Sequence, residues 1–77
     1  MTKEEEEVYK YIADRTEICY IYIRLINEGY CNDERYIKKG IKENLAGVLR
    51  YCDFLADEIE SIRNAANRAM EEVKKDE

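Results

Sequence analysis

Arg35, Lys38, Lys39 and Lys42 stand at i, i+3, i+4 and i+7, the spacing that gathers four cations on one helix face. In a chain of net charge −5, such a stripe makes a local positive patch able to hold phosphate. On a neighbouring arc, Gly40 and Gly47 lie seven residues apart beside Tyr36, Tyr51 and Phe54. Glycine there removes side-chain bulk and lets another helix or a flat ligand approach the backbone. Aromatic rings stack on bases and cations neutralise phosphates, so the two arcs hold the ingredients of a nucleotide pocket. Arg35, Tyr36, Lys38, Lys39, Lys42 and Tyr51 form the candidate ligand-binding set. Each part also has a plainer reading. The cations can neutralise the acidic face of a first helix, Glu17 and Glu28 especially, or sit in water, and the glycines can serve helix packing.

Catalytic chemistry finds few residues to work with. Histidine is absent, so nothing can activate Ser61, Thr2 or Thr16 in the usual way, and Cys-His pairs are excluded. Cys19 and Cys52 are expected to pack as small hydrophobes, with Cys31 the exposed thiol of a connecting loop. Asp53, Asp57, Glu58 and Glu60 mostly lie away from the apolar seam, as solvated carboxylates do, so neither a metal nor a cofactor is expected. An odd count of three cysteines without paired spacing or a secretory signal argues for a reducing, cytoplasmic compartment. The acidic balance, 18 acidic against 13 basic residues, disfavours general nucleic-acid or membrane-surface binding. No apolar run approaches the ~20 residues of a membrane span.

The elements that position these residues are helices. Proline is absent and 40% of the 77 residues are charged, which is helical composition in a single small domain. A chain this size buries only ~60% of the surface its unfolded form exposes, so its core is marginal unless something staples it. Thr2 and Glu5 form a capping-box signature, and Glu4 to Glu7 crowd the positive end of a helix dipole. Val8, Ile12, Cys19, Tyr22, Ile23, Ile26 and Tyr30 then fall on one arc, predicting a helix over 3–28 stopped by a left-handed Gly29. Residues 18–26 alone would suit a strand, but nothing else in the chain offers a sheet partner. As a helix, Ile18, Tyr20, Ile21 and Leu25 spread apolar surface beyond that arc, the mark of a helix buried on more than one side.

After a loop over 29–32, Asn32 or Asp33 can cap a second helix over 33–76. Its seam runs through Ile37, Ile41, Leu45, Val48, Cys52, Leu55, Ile59, Ile62, Ala66, Ala69 and Val73, a heptad from Ile41 onward. At 1.5 Å per residue the two helices would measure roughly 39 and 66 Å, leaving ~27 Å of the second without a partner in an antiparallel hairpin. Either the long helix breaks near Asp53 to give a three-helix bundle, or other subunits cover it. The unbroken heptad favours the all-α architecture of an antiparallel hairpin with a long second helix, assembled as an oligomeric bundle.

The segment DERYIKKGIKENLAGVLRY, residues 33–51, resembles the second helix of the helical-hairpin family of phage nucleotide sponges, which counter CBASS and Thoeris immunity. Arg35, Gly40, Leu45, Gly47 and Leu49 fit that pattern, while Lys42 replaces its threonine and the following aromatic comes only at Tyr51. The preceding IYIRLINEGYCNDER matches the hairpin's layout, and the resemblance covers about residues 20–55. It implies a hexamer that holds cyclic di- or trinucleotides, or cyclic ADP-ribose variants, without cleaving them, in the cytoplasm of an infected bacterial host. Arg35 and Lys42 would contact phosphates and Tyr36 or Tyr51 a base. The competing expectation is a helical protein-interaction module, such as an antitoxin or an inhibitor of a host nuclease complex.

Overall fold

Thr2 opens the first helix as its position predicts. Its backbone is extended (φ −74°, ψ 162°), and its hydroxyl accepts a 3.1 Å hydrogen bond from the Glu5 N–H. Helix α1 follows over Lys3–Arg24, with Glu4, Glu5 and Glu6 in its first turn. The structure, a computed structural model describing residues 2–76, is all-α, with no strand among the described residues. The β-branched stretch from Ile18 is therefore helical, although the helix does not end as expected. Over Leu25–Tyr30 it widens into a π-helical turn, closed by a Cys31 N–H bond to the Ile26 carbonyl at 3.0 Å. Gly29 takes no left-handed conformation. The chain turns instead where the ring of Tyr30 seats against Gly47, and that contact sets where the helix stops.

Asp33 caps the next element by accepting the Arg35 N–H at 2.9 Å, while Asn32 turns back to the Asn27 carbonyl. The element is only Glu34–Ile37, α2. The second helix is thus not continuous from residue 33, and its break lies at Gly40 rather than near Asp53. Gly40 has φ +106°, a left-handed backbone open to glycine at little cost and strained for other residues. Beyond it α3 runs uninterrupted over Ile41–Asp76, 36 residues or about 54 Å.

α1 and α3 contact each other in opposite directions. Tyr30 meets Gly47, Tyr22 meets Tyr51 and Phe54 at ring separations of 5.6 Å, and Arg15 reaches Glu58 at 3.4 Å. Glu4 and Val8 then line a cleft with Ala69 and Glu72. Contact therefore extends along most of α3. With 28 residues in α1 and the π turn against 36 in α3, the overhang shrinks from the expected ~27 Å to about 12 Å. The molecule is correspondingly slender, 57 × 18 × 11 Å.

α1 turns Val8, Ile12, Arg15, Cys19, Tyr22 and Ile26 toward α3, a steady four-three alternation. Ile23, expected on that arc, is 52% exposed. Tyr20, Ile21 and Leu25 are exposed as well, so within one copy the helix is covered on one side only. α3 answers with Asn44, Val48, Tyr51, Leu55, Glu58, Ile62, Ala65 and Ala69. Of the eleven expected seam residues, only Val48, Leu55, Ile62 and Ala69 face α1. Leu45, Cys52, Ile59, Ala66 and Val73 lie exposed, because the Tyr22–Tyr51–Phe54 cluster and the Tyr30–Gly47 contact roll α3 toward its more polar flank. Cys52 is consequently not packed, contrary to its expected role, whereas Cys19 is the one buried hydrophobic residue among those described. Among the described residues, no helix is long and apolar enough to cross a membrane.

Candidate functional site

The π turn, α2 and the start of α3 converge on four aromatic residues. Tyr30 packs on Tyr36 at 4.8 Å and on Tyr51 at 5.7 Å, and Tyr51 meets Phe54 edge-on at 5.7 Å. Tyr30 occupies the notch left by Gly47, where a Cβ would stand 2.6 Å from its Cζ and 2.9 Å from its hydroxyl. Asn44 fastens the same point by donating its amide N–H to the Tyr30 carbonyl. Gly47 is therefore a packing glycine, filled from within the chain. Gly40 has open space around its missing Cβ and serves the backbone turn instead.

Because Gly40 reverses the chain, α2 comes back over α3 and a cleft of about 280 Å³ opens between them. Tyr30, Tyr36, Lys39, Glu43, Asn44 and Arg50 are among its walls. Lys39 Nζ lies 5.2 Å from the Tyr36 ring centroid, so a cation and an aromatic face border the same space. Arg50, on α3, brings a second cation and Glu43 a carboxylate. Such a wall suits a planar group carrying negative charge: the ring offers stacking, and the two cations offer charge-assisted hydrogen bonds.

The six sequence candidates separate. Tyr36 and Lys39 reach the cleft; Arg35, Lys38, Lys42 and Tyr51 do not line it. Arg35 is engaged with its own cap, its Nη2 2.8 Å from Asp33 Oδ2. Side-chain hydrogen bonding to Arg35, and then the Arg35 backbone N–H, hold the Asp33 carboxyl below its usual range, and the same pairing raises the guanidinium. Lys38 stands 3.9 Å from Glu34 in an exposed i, i+4 pair. Lys42 belongs to α3 beyond the break, so the four cations share no continuous helix face. Tyr51 lies inside the aromatic cluster, between Tyr22, Tyr30 and Phe54.

Arg50, Glu43 and Asn44 were missed by sequence reasoning. Glu43, Gly47 and Arg50 follow one another at helical spacing, a signal present in the sequence but meaningful only once α2 folds back over it. Asn44 Oδ1 and Arg15 Nε are buried without a hydrogen-bond partner among the described residues. Cys31 is exposed at the connection, as expected. No group of three or more Cys, Asp or Glu residues among the described residues is arranged to hold a metal ion. No family model matches this chain, and no curated protein or solved structure matches it either.

Proposed function

We propose that this protein is a non-enzymatic binding protein: a helical hairpin, assembled from several copies, that sequesters a cyclic-nucleotide signal in the cytoplasm of an infected bacterial host. The cleft carries the reading. Tyr36 supplies the stacking surface, Lys39 and Arg50 the phosphate contacts, and Glu43 and Asn44 polar edges that a base can address. The partial likeness of residues 20–55 to the phage sponges supports the ligand class, a cyclic di- or trinucleotide or a cyclic ADP-ribose variant. Its phosphate contacts move from Arg35 and Lys42 to Lys39 and Arg50, since Arg35 is spent on Asp33 and Lys42 lies outside the cleft. Histidine, the commonest general base, is absent from the chain, in keeping with a ligand held and not cleaved.

Calorimetry against a panel of these ligands tests the proposal. Binding is expected for at least one, with Lys39→Ala and Arg50→Ala each weakening it by about tenfold, the loss of one charge-assisted contact. Ligand released by heat should be chemically unchanged. If none binds at millimolar concentration, the function passes to the second reading, a protein-interaction module. The exposed apolar flank of α3 is the observation that favours it.

A further inference from the structure

Glu43 is the one acid on the wall of the α2–α3 cleft, and no ion pair among the described residues engages it. It lies exposed in the first turn of α3, beside Tyr36, Lys39 and Arg50. Were it there to balance charge, Lys39 or Arg50 would hold it, yet neither does. Its neighbour Asn44 spends an amide N–H on the Tyr30 carbonyl, which leaves Glu43 as the uncommitted acceptor of the wall. A carboxylate only accepts, and two donors side by side satisfy both of its oxygens at once. In a cleft whose cations face a phosphate, such a group weakens the hold on an anion unless the ligand also brings donors.

We propose that the cleft selects guanine and that Glu43 is the residue that reads it; the inference rests on the nucleotide reading above. Among the bases, guanine alone sets two donors side by side on its pairing edge, N1–H and the N2 amino group. Adenine and cytosine each place one amino group next to a bare ring nitrogen, whose lone pair would face the carboxylate. Uracil flanks its single N3–H with two carbonyl oxygens. The rest of the wall suits the same base. Lys39 Nζ stands over the Tyr36 ring, 5.2 Å from its centroid, where a base would stack. A cation–π contact at an exposed site is weak, so an entering base displaces the ammonium to its own edge. There O6 and N7 of guanine accept it, a pairing that lysine commonly makes. Tyr36 is backed by Tyr30 at 4.8 Å, which keeps the ring in place as Lys39 moves. Arg50 follows Glu43 by seven residues on the same face of α3, about 10 Å along the axis. Base edge, ribose and phosphate of one nucleotide fill such a span, with Glu43 at the base end and Arg50 at the phosphate end. Guanine-bearing cyclic dinucleotides are thereby favoured over all-adenine rings and over cyclic ADP-ribose variants.

Calorimetry with cyclic di-GMP, cyclic di-AMP and cyclic di-IMP tests the selection. Hypoxanthine, the base of the last, differs from guanine only in lacking the N2 amino group. Wild type should bind cyclic di-GMP about tenfold or more tighter than cyclic di-AMP, the usual return on a bidentate base contact, with cyclic di-IMP between them. Glu43→Gln sets a donor beside an acceptor, the match for the N1 and N6 amino group of adenine, and should reverse the preference. Glu43→Ala should level it without creating the reverse one. Circular dichroism and a thermal midpoint close to wild type show that both variants fold, as expected at an exposed position. Equal affinity of wild type for cyclic di-GMP and cyclic di-AMP, a preference for adenine, or an unchanged ratio in Glu43→Gln would overturn guanine selection and leave the nucleotide reading standing. If none of the three binds at millimolar concentration, guanine selection is likewise overturned, and the wider ligand panel decides whether the nucleotide reading falls with it.

Discussion

The two ends of the α1–α3 contact are built on opposite plans. At one end the π turn drives Tyr30 into the Gly47 notch against Tyr36 and Tyr51, and Tyr22 and Phe54 pack on Tyr51 in turn. At the other, Val8 and Tyr11 face Ser61, Ala65 and Ala69 across an open cleft of about 580 Å³ rimmed by Glu4, Glu7, Glu72 and Arg68. The same helices are locked by large rings against glycine at one end and stand apart over small residues at the other. The difference shows where the fold's specificity resides. Register and rotation are set at the aromatic end, and the far end follows at the distance its alanines permit.

Adding carbon at the two ends should therefore have opposite signs. Gly47→Ala improves helix propensity, yet its Cβ would collide with the Tyr30 ring, which Tyr36 and Tyr51 hold from the other sides. The expected result is a loss of about 1–3 kcal/mol, the usual cost of overpacking, read as a lower midpoint in thermal unfolding. A gain in stability would show that Tyr30 leaves the notch freely, and that register is set elsewhere. Ala65→Leu places a larger side chain where there is room for it, next to Val8. It should raise stability by about 0.5–2 kcal/mol, the common return for filling a cavity. Both melts belong at one protein concentration, because the proposed assembly would make the midpoint concentration-dependent. A destabilised Ala65→Leu would mean that the far cleft is already closed in solution, and the contrast between the ends would fall.

Much of this architecture is visible in the residues themselves. Thr2 and Asp33 announce their helix starts, since a cap is a local event needing only a side-chain oxygen and a free N–H nearby. The inward face of α1 is legible because Val8, Ile12, Cys19, Tyr22 and Ile26 are apolar and the opposite face is charged. Arg15 escaped because its fit comes from Glu58, 43 positions away. α3 misled in a subtler way. Its apolar face is broad enough for two partners, and apolarity alone cannot say which half α1 takes. Asn44, Tyr51 and Glu58 win that place through contacts with Tyr30, Tyr22 and Arg15, none of which periodicity can rank. Gly40 hid the break, since on one arc with Gly47 it reads as a second packing glycine until its φ is seen. From that one angle follow the dispersal of the basic stripe and the cleft of Lys39 and Arg50.

The smallest expected effect concerns the hinge that joins the two ends to the cleft. Asp33 caps α2 and grips Arg35, and α2 carries both Tyr36 and, just beyond it, Lys39 toward the cleft. Hydrogen bonds from Arg35 hold the Asp33 carboxyl below its ordinary value of 3.8. A carboxylate whose folded value is depressed stabilises the folded state at pH above its unfolded value and loses that contribution as pH falls through the folded one. The cap should thus be fully in force at neutral pH and weaken only in acid, below 3.8. Arg35 is exposed and Asp33 only half-buried, so salt and water limit what the pair contributes. Asp33→Ala should therefore lower the thermal midpoint only slightly at neutral pH, and the gap to wild type should close on acidification through that window. A distinct outcome is expected at the cleft. Loss of the cap frees α2, so fluorescence of Tyr36 beside Lys39 should change more than global stability does. Equal changes in both, or a gap that persists below the window, would mean that α2 is held by Tyr30 packing on Tyr36 and that Asp33 adds nothing to the hinge.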